Sequence, residues 1–127
     1  MPHIGFQSGV PVYEQVIYAV KKALIAGLLK PGDEFPSVRK LSQELRINPN
    51  TAHKVVAALT AEGLLEVKPG IGTVVTAAPA ASAKQRQALL GTEVERLVVE
   101  ARNLGLGVKD VTDAVQAHWR RLKENQP

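Results

Sequence analysis

A chain of 127 residues has room for one domain, or one domain with a small appendage, which excludes the large multi-domain enzymes. Hydrophobic residues at 45% and charged residues at 22% are the balance of a packed protein rather than a disordered one. The net charge of +4 permits an anionic partner such as DNA without demanding one, and the basic excess is the same on both sides of residue 77.

In chain order, Val12, Val16, Ala19, Val20, Ala23 and Leu24 recur at helical spacing. Tyr13, Ile17 and Leu28 widen that apolar surface, and Gly27 falls near the end of the helix they predict. Lys30-Pro31-Gly32-Asp33 reads as a turn. Ser37 is a good N-cap for a short second helix with Val38, Leu41 and Leu45 facing inward. Asn48 followed by Pro49 joins a cap to a proline at the first helical position, a strong start signal. The third helix then buries Ala52, Val55, Val56 and Leu59 and stops at Gly63. Beyond it the period changes: residues 64–67 and 73–76 are rich in β-branched side chains, with Pro69, Gly70 and Gly72 between them, and predict a hairpin.

Residues 77–83, small and interrupted by Pro79, read as a linker between a domain at 1–76 and a second at 84–127. The second domain is expected to hold two helices. Leu90, Val94, Leu97, Ala101 and Leu104 form a heptad seam on the first, which Gly105 ends. Val108, Val111, Val115, Trp119 and Leu122 form the stripe of the other. A pair of this size has too little interior to bury both stripes. Packing against the same pair from a second chain gives a four-helix homodimer. Folding back on the N-terminal part of the same chain is the alternative.

The fold class expected is mostly α with a small β-hairpin. The span from Ser37 to Glu62 has helix-turn-helix proportions, and a hairpin directly after it completes the winged-helix order. Subtracting the buried face leaves Asn50, Thr51, His53 and Lys54 outward on the third helix, with Arg39 and Lys40 near the exposed start of the second. Such groups can meet base edges and phosphates in a major groove, though polar outward faces occur on any three-helix domain. Glycines in the wing let main-chain N–H groups approach phosphates closely.

Catalysis is not expected. The absence of cysteine removes disulfides, thiolate metal sites and thiol nucleophiles. His3, His53 and His118 lack metal-ligand spacing, and Asp110 and Asp113 complement the N-terminal dipole of the last helix. No metal or cofactor is expected. No run approaches the length of a membrane span and the start shows no secretory signal, so a cytoplasmic protein without membrane contact is expected.

PVYEQV at 11–16, LKPGDEFPSVRKLS at 29–42, INPNTAHKVVAAL at 47–59 and EGLLEVKPGIGTVV at 62–75 resemble the GntR family of bacterial transcription regulators. The Asn48-Pro49-Asn50-Thr51 run and the brief tail resemble its short YtrA-type branch. The resemblance implies a repressor that binds double-stranded DNA as a homodimer at a roughly palindromic operator. It implies DNA contacts from Ser37, Arg39, Asn48, Asn50, Thr51, His53 and Lys54, and from Lys68, Gly70, Gly72 and Thr73 of the wing. Four departures stand out. Pro69 and Ile71 replace basic wing residues, Arg46 replaces a frequent glycine, Lys54 stands where arginine is commoner, and Val56 stands where tyrosine is common. A small-molecule effector acting through the C-terminal helices is compatible with this branch, and His118 and Trp119 are candidates to line its pocket. The rival readings are a winged helix used for protein contacts and a non-specific DNA binder.

Overall fold

The structure, a computed structural model, describes residues 4–77 and 79–124. His3, Ala78 of the expected linker and residues 125–127 of the expected second domain lie outside the described residues. The chain divides into two compact units, one ending at Pro79 and the other spanning Ala80–Glu124.

The first unit contains α1 (Val12–Ile25), α2 (Val38–Leu45), α3 (Pro49–Ala61) and the strands β1 (Leu65–Lys68) and β2 (Gly72–Val75). Its helices begin where local chemistry places them. Ser37 Oγ accepts from the Lys40 amide at 3.2 Å, and Asn48 Oδ1 accepts from the Asn50 amide at 2.8 Å, each satisfying an otherwise orphaned helix donor. The core is one cluster to which every element contributes: Val16 and Val20 of α1, Leu41 of α2, Ala52, Val55 and Leu59 of α3, Leu65 and Val75 of the hairpin, and Phe35. Val56, expected inside, is half-buried and packs on its edge.

The hairpin pairs antiparallel, Leu65 opposite Val75 and Lys68 opposite Gly72, so each strand is displaced by one residue from its sequence reading. The pairing register is unchanged by this, since Thr76 N–H still donates to Leu64 O at 3.0 Å, and the segment before α2 joins the hairpin. Gly32 donates to Val75 O, Val75 to Asp33 O and Phe35 to Thr73 O, each at 2.8 Å, making a short third ribbon beside β2. Those bonds tie the base of the hairpin to the entry of α2 and bury Val74.

The second unit contains α4 (Ala83–Arg86), a π-helical segment (Gln87–Glu93), α5 (Val94–Asn103) and α6 (Val108–Glu124). Ser82 and Gln85 make a reciprocal capping box, so helix begins at Ala83, which the sequence had given to the linker. The expected first helix is therefore interrupted. A π segment takes up extra residues per turn and so rotates what precedes it relative to the heptad expected through Leu90. Gly91 lies in this segment, and the Gln87 side chain occupies the place where a Cβ would project from it. Gly107 N–H donates to Asp110 Oδ2 at 2.8 Å at the start of α6, where the sequence expected Asp110 to complement the helix dipole.

Candidate nucleic-acid interface

α2, the turn of residues 46–48, and α3 form the helix-turn-helix. Ser42, buried on the inner side of α2, donates from Oγ to Ile47 O at 2.7 Å, and Ile47 N–H returns to Ser42 O at 3.1 Å. This pair of bonds fixes the turn and hence the direction in which α3 leaves it. Ser42 was missed in the sequence, where a serine beside Leu41 on an apolar stripe was the available signal. Arg46, the C-cap of α2, has φ 54 and ψ 49. It is the only non-glycine residue at positive φ among the described residues, a conformation that costs about 1–3 kcal/mol unless the surroundings impose it.

Ala52, Val55 and Leu59 anchor α3 in the core and leave Asn50, His53 and Lys54 exposed, with Thr51 half-buried beside them. The first two turns of α3 therefore present a carboxamide, an imidazole and an ammonium to solvent, all able to hydrogen-bond to base edges or phosphates. Ser37 and Asn48, also expected to touch DNA, already use a side-chain oxygen as a helix cap. Both sit at the edges of the face, and the Asn48 amide nitrogen remains available as a donor.

The distribution of ion pairs adds an electrostatic distinction. Lys21 is bound to Glu62 at 2.8 Å, Lys40 approaches Glu44 at 3.9 Å, and Lys68 approaches Glu66 at 3.7 Å. Among the described residues no carboxylate lies within 4.0 Å of Arg39, Arg46 or Lys54. Those cations belong to α2, the turn and α3, and share that state with Lys22 and Lys30 of the same unit and with Lys84, Arg86, Arg102, Arg120 and Arg121 of the other. An uncompensated cation attracts phosphate, whereas a paired one must first release its carboxylate.

The wing projects next to this face. Gly70 at φ 79 and Gly72 at φ 112 close its turn in backbone conformations that side chains resist, and Ile71 N–H donates to Lys68 O at 3.0 Å. Lys68, Gly70 and Gly72 are exposed, while Thr73 is half-buried and bonded through its carbonyl to Phe35. Val67 and Ile71 leave 70% and 61% of their surface exposed, so the tip is apolar and its cation is neutralised by its neighbour.

In the second unit, Ala101 is the one buried hydrophobic residue among those described. Val111 and Leu122 are half-buried, whereas Leu90, Val94, Leu97, Leu104, Val115 and Trp119 are exposed, the last by 76%. A cleft of about 530 Å³ opens at the α5–α6 turn, lined by Val98, Ala101, Arg102 and Val111 among others. Neither His118 nor Trp119 lines it, and His118 Nδ1 is 2.7 Å from an Arg121 nitrogen. No group of His, Asp and Glu suited to a metal ion occurs among the described residues, and none of the described helices is long and apolar enough to cross a membrane.

Comparison with known proteins gives this geometry a family. The chain is 30% identical over 117 residues to the HTH-type transcriptional repressor YtrA of Bacillus subtilis, covering 91% of this chain and 90% of that one. Its fold matches a Listeria monocytogenes protein described as a transcriptional antiterminator, with TM-score 0.83, 22% identity, and coverage of 96% and 92%. The structure of AraR(DBD) in complex with an operator matches at TM-score 0.52 and 26% identity, covering 58% of this chain and 95% of that one. The family model for bacterial regulatory proteins of the gntR family matches residues 12–75, from the first turn of α1 to the end of β2. The chain belongs to the gntR family and is a YtrA-like, winged helix-turn-helix DNA-binding transcription regulator.

Proposed function

We propose that this regulator is a homodimeric repressor in the bacterial cytoplasm, its two winged helices occupying the halves of a roughly palindromic operator. The observation that carries this reading is the first turn of α3, capped, aimed outward, and flanked by cations without carboxylate partners. Arg39, Asn50, Thr51 and His53 are the base-reading candidates; Lys54 serves a phosphate, and Lys68 is placed to serve one once it leaves Glu66. Gly70, Gly72 and Thr73 bring the wing backbone to the duplex, and Ser37 and Asn48 hold the two helix starts against it. That YtrA is described as a repressor, and that AraR(DBD) is seen on an operator, supports both parts of the reading.

Residues 1–76 then act as the DNA-binding domain, 77–83 as the linker and 84–127 as the dimerisation domain. The exposed apolar residues of the second unit support self-association, because a contiguous surface of this kind on a small helical pair is an unfinished core. Leu90, Val94, Leu97, Leu104, Val111, Val115, Trp119 and Leu122 would close against their copies, with Ala101 packed beneath them. Two-fold protein symmetry requires two-fold operator symmetry, with recognition helices about 34–36 Å apart for half-sites one turn apart. A small molecule entering the α5–α6 cleft would bias the packing of these helices and with it the spacing of the two winged helices.

Selection from a random duplex library at about physiological salt tests the proposal, since non-specific binding is weak there. A two-fold-symmetric consensus is expected. Retention without a consensus, vanishing as salt rises, would instead make the chain a non-specific binder, and no retention at all would favour protein contacts.

A further inference from the structure

Lys54 is not loose on the surface of α3. Its Nζ lies 5.6 Å from the centre of the Tyr13 ring, within the range in which an ammonium is attracted to the negative face of an aromatic. Tyr13 is half-buried in the first turn of α1 and packs against the central cluster, so its ring is a fixed platform. Its hydroxyl donates to Glu14 Oε1 at 3.5 Å, which leaves the face of the ring to the lysine.

A flexible lysine gives up side-chain freedom when it grips a phosphate, and that loss weakens binding. A ring that holds the ammonium beforehand removes part of the loss. We propose that Tyr13 is a positioning residue for DNA binding, holding the Lys54 ammonium beside the exposed start of α3 for a backbone phosphate. The proposal rests on the operator reading above and adds to it an α1 residue that makes no DNA contact of its own. It also gives Lys54 a different task from its neighbours Asn50 and His53. A point charge held toward α1 supplies affinity for any duplex, whereas discrimination is left to groups that can pattern hydrogen bonds.

The molecule contains its own control. Lys22 Nζ lies 5.6 Å from the centre of the Tyr18 ring, but both residues are on α1 and Tyr18 is largely exposed. The same contact there serves no element of the DNA face.

Binding of the full-length chain to the selected duplex and to a scrambled one, measured by anisotropy, tests the assignment. Tyr13→Leu is expected to weaken both about two- to fivefold per half-site, hence about five- to thirtyfold for a dimer, the fold-change equivalent of newly ordering one lysine side chain per chain. Tyr13→Phe keeps the ring and binds like the parent, as does Tyr18→Leu. In a Lys54→Gln background, Tyr13→Leu has no further effect. An equal loss in that background, or no loss in the parent, overturns the proposal. A measurement on the unaltered protein guards against misfolding of the leucine variant: ring current should move the Lys54 ε-methylene protons upfield of those of Lys109, and coincident shifts overturn the contact itself. If the library yields no consensus, the operator reading fails while the cycle on scrambled duplex and the proton shift still decide the role of Tyr13.

Discussion

Replacing Glu66 with glutamine should strengthen DNA binding and steepen its dependence on salt. Lys68 is the only cation near the wing tip, and its Nζ stands 3.7 Å from Glu66 Oε1. Both side chains are about half-exposed, 51% and 53%, so the pair itself contributes little to folding, at most about 1 kcal/mol. Its effect on DNA binding is larger, because a carboxylate beside a phosphate cancels the counterion release that the lysine would provide. In a dimer, Arg39, Arg46 and Lys54 of both chains, without carboxylate partners, give a log–log salt slope of about −5 if each neutralises a phosphate. Between 0.1 and 0.2 M salt that is a loss of roughly fortyfold in affinity. Freeing Lys68 in each wing takes the slope to about −7 and the loss to roughly 150-fold, with the variant tighter than the parent at low salt. Anisotropy titrations of one labelled duplex over that salt range supply both slopes. Parallel slopes for parent and Glu66→Gln, together with a flatter slope for Lys68→Ala, would show that Lys68 already serves a phosphate and that the pair in the free protein says nothing about the bound wing.

Asn48→Ala should remove the cap of α3 and lower stability by about 1 kcal/mol, roughly 4–8 °C in Tm for a unit of this size, while Asn48→Ser restores both stability and operator affinity. A serine variant that melts normally but does not bind would assign Asn48 to DNA contact. Arg46→Gly relieves a left-handed backbone and is expected to stabilise the chain by about 1 kcal/mol in urea, yet to flatten the salt slope by about 2 for a dimer; unchanged stability would mean that the turn is unstrained. Leu59→Ala, at a fully buried position, should cost about 3–5 kcal/mol, enough to unfold much of the population of a marginal domain, as a denaturant midpoint would report. Leu97→Arg places a charge in the exposed seam and should give a monomer in sedimentation with undiminished far-UV helicity and weakened operator binding. A dimer surviving that change would move the interface elsewhere.

How much of this was legible in the sequence follows the range of the interactions responsible. Ser37, Asn48 and Ser82 cap helices through bonds that reach two or three residues, so the starts of α2 and α3 could be read from neighbouring letters. The cap at Ser82 was just as local but lay inside a small-residue stretch that read as linker. The hairpin pairs in the register that the two stretches imply, its strands lying one residue nearer the turn, whereas the ribbon of Asp33 and Phe35 beside β2 comes from far away along the chain and was not legible. The π segment had only Gly91 to announce it, and a glycine within a helical pattern has several explanations. On the DNA face, the outward positions of α3 followed from subtracting its buried stripe. The Tyr13 platform did not, because an aromatic on an apolar helix face gives no hint of which cation will lie over it.

Charge counting failed for a related reason, and its failure bears on how such interfaces are recognised. The two parts of the chain carry the same basic excess, so composition nominates neither. What bears on the DNA face is where the fold leaves the cations of the helix-turn-helix. Lys21 lies against Glu62, and Lys40 and Lys68 stand near Glu44 and Glu66, each at a spacing dictated by helix or strand geometry or by the packing of α1 near the end of α3. Arg39, Arg46 and Lys54 are left without carboxylates on successive parts of one helix-turn-helix. Two of them are held at some conformational cost or by a dedicated contact, Arg46 by a left-handed backbone and Lys54 by a tyrosine ring. Uncompensated charge destabilises a free protein slightly and is repaid only on a polyanion. Unpaired cations occur elsewhere on the chain too, so on this motif it is their place beside the outward hydrogen-bonding groups of α3, which net charge does not report, that marks the nucleic-acid face.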